Sequence, residues 1–448
     1  MSPIEDRPAT DSRSPRDLAV VPALGDQSLD CFDFSGRMQG RHLRPCQEPY
    51  KEVLTVTVPK SVSEQTTSKS RGGNAIRKVA LIVPLVIVLT ACEAQPPATT
   101  PSPRTSSAPA AEPIALKVAF IQDLAPEGAL DRTLPAFQGA ELAFTVASAR
   151  EGAAFTIRIV AFDIDGSIET GREIVEEIAG DPSYVAAIAA PSLPDQQPIA
   201  DDGLDGMPFL SLSDRGAMLT EDRAWLRFVA PLRDVATSLA LLAESHRPSR
   251  RGVCLAGTDE TNPLARYTRR SLSSDVHVTS AKGAGDVTSA RCGVVVWSGD
   301  GLGAANIAVG LDADVRLIGG PSLRDGDFIE DAGASAEGAL SVCSCADVSN
   351  SLGLAARRFI QTFQSENGTA PGPYALEAWD AARMIIAGVD AAGPSRGELA
   401  SWLSGVTRFD GLAGSYNWTD GELVSPRRFI RTYEVVGGRW VLLGDAPG

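Results

Sequence analysis

Leu116-Lys117-Val118-Ala119-Phe120-Ile121 is the stretch that decides the fold of this chain. After this mainly apolar strand, apolar residues recur at helical spacing over 136–149, and a second strand pattern follows over 155–162. Strands that alternate with helices in this way form parallel sheets with helical crossovers. The sequence therefore predicts an α/β fold, in which a ligand would bind beyond the carboxyl ends of the strands.

The same alternation continues further along the chain. The other predicted helices cover 168–178, 235–243 and 264–272, and the other predicted strands cover 184–190, 209–211, 252–256, 276–279, 293–297 and 315–318.

A basic pair, Arg77-Lys78, precedes the apolar run Val79–Ala91, which ends directly before Cys92. The run is shorter than the roughly 20 residues that a membrane-spanning helix needs, but it suits the apolar core of a signal peptide. Leu89-Thr90-Ala91-Cys92 resembles the lipobox of bacterial lipoproteins, which implies a signal peptide over 76–92 and lipidation of Cys92. The alternative is an ordinary signal anchor with an incidental cysteine. Either interpretation predicts that the chain after Cys92 works outside the cytoplasm.

Two segments flank this signal. Residues 1–75 are polar and lack periodicity, so we expect either a disordered extension or a start codon assigned too early, with Val58 or Val62 as possible true starts. Residues 93–113 are rich in Pro, Ala, Ser and Thr and predict a tether between the membrane and a folded body.

Composition excludes some classes of function. The chain has 448 residues, 44% hydrophobic content and a net charge of −15, which suits a globular protein of two lobes and argues against a nucleic-acid partner. Neither His246 nor His277 has a metal-ligand partner at a useful spacing. Nucleophile-elbow, phosphate-loop and zinc-protease motifs do not occur. We therefore expect no enzyme, no cofactor and no metal.

Four cysteines lie in the part of the chain predicted to be exported, where disulfides can form. They are Cys254, Cys292, Cys343 and Cys345. Four cysteines allow three pairings, and sequence does not choose among them. Cys254 and Cys292 lie in strand-like runs, so they are either neighbours in one sheet or simply small buried residues.

Six short motifs follow one another between residues 114 and 444. They are Gln138-Gly139-Ala140-Glu141-Leu142-Ala143, Phe162-Asp163-Ile164-Asp165-Gly166, Ala189-Ala190-Pro191-Ser192, Pro208-Phe209-Leu210-Ser211-Leu212-Ser213, Tyr374-Ala375 with Ala378-Trp379-Asp380-Ala381, and Phe409-Asp410-Gly411-Leu412-Ala413-Gly414. In order and spacing they resemble type I periplasmic binding proteins of the branched-chain amino-acid and amide group, which serve ABC importers.

The resemblance implies two doubly wound lobes with parallel sheets, a ligand cleft between them and three hinge crossovers. Lobe 1 would comprise 114–232 and 347–428, and lobe 2 would comprise 233–346 and 429–444. It also implies hinge closure around a small molecule, an ABC permease as the membrane partner, and a monomer.

The resemblance also assigns site residues. Ser192 and Ser213 fall on the positions whose hydroxyls bind a ligand carboxylate in the family, and Ser211 ends the strand before Ser213. The alternative for each serine is a turn residue that satisfies the local backbone. Asp123 and Trp297 follow strands whose loops should border the cleft; Trp297 either stacks on a ligand or packs locally.

Three positions depart from the family pattern. Arg215 replaces the usual threonine, Pro321-Ser322 stands where the family has its acidic residue, and Asn262-Pro263 replaces Tyr-Gly. Asp325 follows too late to match that acidic position. We therefore expect no clamp for a ligand ammonium group, and Arg215, Asn262 and Ser322 would favour a neutral or anionic ligand. Alternatively, Arg215 points into solvent.

Three functions fit these observations. The first is a lipid-anchored solute-binding protein of an ABC importer, which would take up an amino acid, an amide or a small carboxylate. The second is a ligand-binding sensor that acts on a membrane partner without transport, and the third is a fold used only for protein contact.

Overall fold

The computed structural model describes residues 19–20, 112–126, 128–193, 206–215, 224–249, 251–257, 262–326, 328–346 and 353–448. The signal segment, Cys92, the tether up to residue 111 and most of residues 1–75 lie outside the described residues, so the predictions made for them stay predictions.

Sixteen strands and ten α-helices lie in the described residues. The strands are β1 (Ala19–Val20), β2 (Ile114–Gln122), β3 (Phe155–Asp163), β4 (Tyr184–Ala189), β5 (Phe209–Ser211), β6 (Trp225–Arg227), β7 (Gly252–Ala256), β8 (Val278–Ala281), β9 (Cys292–Trp297), β10 (Arg316–Gly319), β11 (Leu340–Cys343), β12 (Val406–Asp410), β13 (Ser415–Thr419), β14 (Glu422–Leu423), β15 (Arg431–Val435) and β16 (Trp440–Asp445). The helices are α1 (Ala129–Ser148), α2 (Ile168–Gly180), α3 (Leu232–His246), α4 (Pro263–Ser271), α5 (Ala284–Ser289), α6 (Gly301–Val309), α7 (Phe328–Ala332), α8 (Leu354–Asn367), α9 (Ala375–Ala392) and α10 (Arg396–Ser404). Of these described helices, none is long and apolar enough to cross a membrane.

Two parallel sheets share one strand order. The five-stranded sheet runs β3-β2-β4-β5-β6, and the seven-stranded sheet begins β8-β7-β9-β10-β11 before antiparallel β15 and β16 complete it. When the five parallel strands of each sheet are numbered by their order along the chain, both sheets have the order 2-1-3-4-5, which is one of the doubly wound orders. The predicted α/β fold with two doubly wound sheets is confirmed.

The chain passes three times between the two halves of the fold. It leaves the five-stranded sheet after β6, returns after β11 to helices beside that sheet, where Ala375 packs against Gly139 of α1, and enters the seven-stranded sheet again between β14 and β15, which confirms the three crossovers. β12, β13 and β14 form a small sheet with β1 beside β12. The exact lobe boundaries stay a prediction.

β2 shows why the opening stretch decides the fold. Val118, Ala119, Phe120 and Ile121 are fully buried, because helices cover both faces of a parallel sheet and leave no face to water. β3 and β4 pair with β2 on either side in parallel. The strand is therefore central in its sheet, as its nearly continuous apolar run predicts.

α1 begins seven residues before the predicted start at residue 136. Pro135 lies inside it, and a proline removes one backbone hydrogen bond, so the sequence pattern before it does not read as helix. Further along, a Cβ on Gly139 would overlap the backbone of Ala375 in α9. The Gln-Gly-Ala and Tyr-Ala motifs thus meet where α1 and α9 pack closely.

The cysteines form two pairs. Cys254 in β7 bonds to Cys292 in β9, and Cys343 bonds to Cys345 at the end of β11. The first pair joins neighbouring strands, which is the sheet arrangement considered for these residues. The second lies at the crossover that leaves the seven-stranded sheet.

Candidate ligand site

Residues from the carboxyl ends of both sheets line one cavity of about 30 Å³. This is the edge at which doubly wound sheets bind ligands. The lining residues are Arg132, Pro191, Asp214, Arg215, Leu232, Leu264, Ser298, Pro321, Ser322 and Tyr374. Of the residues predicted for the site, Arg215 and Ser322 line the cavity directly.

Ser192 and Asp123 hold together the loops that follow β4 and β2. The Ser192 hydroxyl oxygen accepts a hydrogen bond from the Asp123 amide at 3.2 Å. The Asp123 carboxylate accepts from the amides of Ala125 and Gly166, both at 3.0 Å. Gly166 has φ +69°, which favours glycine and accounts for the Asp-Gly turn in the second motif. Both predicted residues are buried next to the cavity wall at Pro191.

Ser213 and Ser211 shape the loop after β5. The Ser213 hydroxyl donates to the Leu193 carbonyl at 2.6 Å and accepts from the Arg215 amide at 3.1 Å. The Ser211 hydroxyl accepts from the Ser213 amide at 3.2 Å, and Arg227 donates to the Ser213 carbonyl at 2.7 Å. These bonds present the next two residues of the loop to the cavity. Carboxylate binding by either serine stays a prediction.

Asp214 and Arg215 bring opposite charges to the cavity. The Arg215 Nε lies 4.0 Å from the Asp214 Oδ1, and the Arg215 side chain is 38% exposed. Burial raises the pKa of Asp214, whereas the guanidinium groups of Arg215 and Arg132 lower it. Arg215 thus lines the cavity, but a carboxylate that the sequence analysis did not single out opposes its charge, and ligand binding by Arg215 stays a prediction.

Arg132 and Asp325 form an ion pair across the cleft. Arg132 lies in the first turn of α1, and Asp325 follows the short 3-10 helix Pro321–Arg324 after β10. The Asp325 side chain is 2% exposed, and burial raises its pKa to about 7 in spite of Arg132. An acidic residue therefore does reach the cleft from the seven-stranded sheet, although its spacing differs from the family pattern.

Tyr374 forms a further wall of the cavity. Its φ is +64°, and this left-handed conformation directly before α9 places the ring in a buried position. Burial raises its pKa well above 10.0. The Tyr374 hydroxyl lies 3.8 Å from the Cys343 Sγ, so the cavity wall contacts the disulfide at the second crossover.

The remaining predicted residues belong to the seven-stranded sheet. The Asn262 side chain caps α4 by accepting from the amides of Leu264 and Ala265, and it donates to the Ser298 carbonyl at 3.3 Å. Ser322 donates to the Gly299 carbonyl at 2.7 Å. Both hold loops that border the cavity.

Trp297 packs locally in this structure. Its indole N–H donates to the Asp300 carbonyl at 2.7 Å, and its ring is buried against the backbone of Gly257 and Gly303. The contacts of Trp297 are therefore those of a locally packed side chain, and stacking on a ligand stays a prediction.

Arg132, Asp214 and Tyr374 are the residues that the sequence analysis missed. Tyr374 was within reach, because it belongs to a quoted motif. Asp214 stands between two candidate residues in a loop at a strand end. Arg132 gave no such signal, because it lies before the predicted start of its helix.

Comparisons with known proteins agree with this architecture. The family model described as "Periplasmic binding protein" matches residues 293–438. A search of curated proteins found no match.

Solved structures share the fold at low identity. An ABC transporter substrate-binding protein from Desulfitobacterium hafniense in complex with Leu has 19% identity and a TM-score of 0.56 over 74% of this chain and 100% of that one. The branched-chain amino acid transporter substrate-binding protein LivJ from Streptococcus pneumoniae in complex with isoleucine has 15% identity and a TM-score of 0.59 over 74% and 100%. A solute-binding protein from R. palustris in complex with benzoate has 17% identity and a TM-score of 0.57 over 74% and 97%. The chain therefore has the fold of type I periplasmic binding proteins, and residues 293–438 match the family model.

Proposed function

We propose that this chain is an extracytoplasmic solute-binding protein, which captures a small polar solute between its two sheets and delivers it to an ABC-type importer. The observation that supports this most directly is the cavity at the carboxyl edges of both sheets, to which each sheet contributes polar side chains. Three crossovers connect the sheets, and closure about such hinges is the usual way in which two-lobed proteins enclose a ligand.

The charges at the cavity favour a solute without net charge. Arg132 faces Asp325, and Arg215 faces Asp214. A buried charge must be paired, so a solute with net charge would leave one of these groups without its complement. A neutral amide or a zwitterion fits this balance better than the anion that Arg215 alone suggests.

A thermal-shift screen of the full chain tests solute binding. The solutes are amino acids, amides, dicarboxylates, short carboxylic acids and sugars. A solute at about 100 times its dissociation constant should raise the free energy of unfolding by roughly 2.7 kcal/mol. Arg215→Ala should reduce the shift, whereas Arg408→Ala, at a distant side chain that is 51% exposed, should not. No shift with any class would count against solute binding and favour a protein-contact role.

Membrane attachment is a separate part of the proposal. If Cys92 carries a lipid, Cys92→Ala should move the protein from the membrane fraction to the soluble fraction, as followed by immunoblotting. Retention of the variant in the membrane fraction would contradict lipidation at this residue. Solute uptake in a strain that lacks this protein distinguishes an importer component from a sensor. Reduced uptake indicates transport through a permease, whereas unchanged uptake favours a sensor.

A further inference from the structure

The Arg132–Asp325 ion pair connects segments that belong to different sheets. Arg132 is in α1, which follows the first strand of the five-stranded sheet, whereas Asp325 follows β10 of the seven-stranded sheet. By contrast, the Arg316–Glu434 pair, at 3.1 Å, lies within the seven-stranded sheet. The Arg132–Asp325 pair can therefore stabilise the contact between the two sheets.

Both members of this pair are shielded from water. The side chains of Arg132 and Asp325 are 11% and 2% exposed. A carboxylate at such a position needs a partner, because leaving one charge of a buried pair alone costs several kcal/mol. Separation of the sheets would return both charges to water, so the pair exists only while the cleft is closed.

Backbone on both sides of Asp325 makes room for the contact. A Cβ on Gly128, before α1, would lie 3.1 Å from the Asp325 Cβ, tighter than ordinary packing. Gly128 also has φ +72°, which only glycine adopts readily. A Cβ on Gly301 in α6 would overlap the Asp325 carbonyl. Asp325 is thus enclosed between a glycine from each side of the cleft.

The space left by this closure is small. The cavity beside Arg132 measures about 30 Å³, whereas pockets for drug-sized ligands measure roughly 300–1,000 Å³. A volume of this size admits about one water molecule. A solute such as an amino acid therefore has to enter after the two edges separate.

We propose that Arg132 and Asp325 form an intramolecular latch, which holds the edges of the two sheets together and must open before a solute can enter the cleft. The latch rests on the proposed function for its purpose, but the ion pair itself can be tested without any solute. Its consequence for binding follows from linkage: the apparent dissociation constant equals the intrinsic constant divided by the fraction of molecules that are open.

Hydrogen–deuterium exchange of the full chain without solute at pH 8 tests the latch. In Arg132→Gln, peptides covering 128–135 and 320–326 should exchange at least about 10-fold faster than in the wild type, because the open population rises. Asp325→Ala, which removes the partner on the other side, should have the same effect. Peptides from β2 and β9 should keep their wild-type rates in both variants.

Glu434→Gln is the matched control, since it breaks an ion pair inside one sheet and should leave the peptides at 128–135 unchanged. Unchanged exchange at the cleft in both latch variants overturns the latch. Acceleration that extends to β2 and β9 in both variants also overturns it, because the pair would then hold the fold and not the closure. Neither result depends on whether the thermal-shift screen finds a solute.

Discussion

The two disulfides should differ strongly in what they contribute to stability. Cys254 and Cys292 are 38 residues apart in sequence, whereas Cys343 and Cys345 are only 2 apart. A disulfide restricts the unfolded chain more when it closes a longer loop. The perturbation is to replace each pair by alanine, Cys254→Ala with Cys292→Ala in one variant and Cys343→Ala with Cys345→Ala in the other.

The magnitude follows from loop length. The loop-closure entropy relation gives about 4 kcal/mol for the Cys254–Cys292 loop and about 1.6 kcal/mol for the Cys343–Cys345 loop at 25 °C. All four side chains are at most 2% exposed, so each variant deletes two buried sulfur atoms and the packing losses should be similar. The difference between the variants, about 2.3 kcal/mol, then reports loop closure.

Urea unfolding under non-reducing conditions measures both losses against the wild type. The midpoint of the Cys254/Cys292 variant should fall further, and its m-value should rise because its unfolded chain is less compact. Wild-type protein unfolded in a reducing agent provides a third curve, which should be the least stable. Equal losses in the two variants, or a larger loss in the Cys343/Cys345 variant, would refute the loop-length reasoning.

Two further predictions concern buried carboxylates. Gly411→Ala should lower the free energy of unfolding by at least about 3 kcal/mol in urea titrations, because the new Cβ would overlap the Asp380 carboxylate. Gly397→Ala is the control and should cost nothing, because the space around Gly397 is open. Equal stabilities of the two variants would contradict the overlap. Burial raises the pKa of Glu377, which accepts from the Ala346 amide, to about 7, so the folded chain binds a proton that the unfolded chain does not. Stability should therefore rise by roughly 2 kcal/mol for this group as the pH falls from about 7 to 5, and Glu377→Gln should remove that part of the rise. A wild-type stability that is the same at pH 8 and pH 5 would contradict it.

The fold could be predicted from the sequence because its signals are local. A nearly continuous apolar run identifies β2 as a central strand, and the motifs around Gly139 and Ala375 mark two helices that pack closely. Asp380 accepts from the amides of Leu412 and Ala413 at 2.7 and 2.8 Å, so two more of the quoted motifs bond to each other. Such contacts lie inside one half of the fold and depend little on how the halves meet.

The candidate site could be predicted only in part. Ser192, Ser213 and Arg215 stand at strand ends, where the strand order alone places them near the cleft. Arg132 and Asp325 are 193 residues apart, and their pairing depends on how the two sheets come together, for which no local pattern exists. The disulfide pairing was open because it depends on which strands are neighbours within the seven-stranded sheet, and the sequence does not give that order.

The residues that the sequence analysis missed change the class of ligand that Arg215 predicts. A guanidinium at Arg215 read from the sequence alone predicts affinity for an anion, but the energy of a charged group depends on its neighbours as much as on its own identity. Asp214 lies 4.0 Å from it, and Asp325 faces Arg132 in the same cleft. Because each arginine already has a carboxylate partner, an anionic solute would have to displace one of these carboxylates. A zwitterion could instead pair its carboxylate with Arg132 and its ammonium group with Asp325 as the cleft opens and closes again. The charge balance of the cleft, and not Arg215 alone, therefore sets the class of solute that the site should prefer.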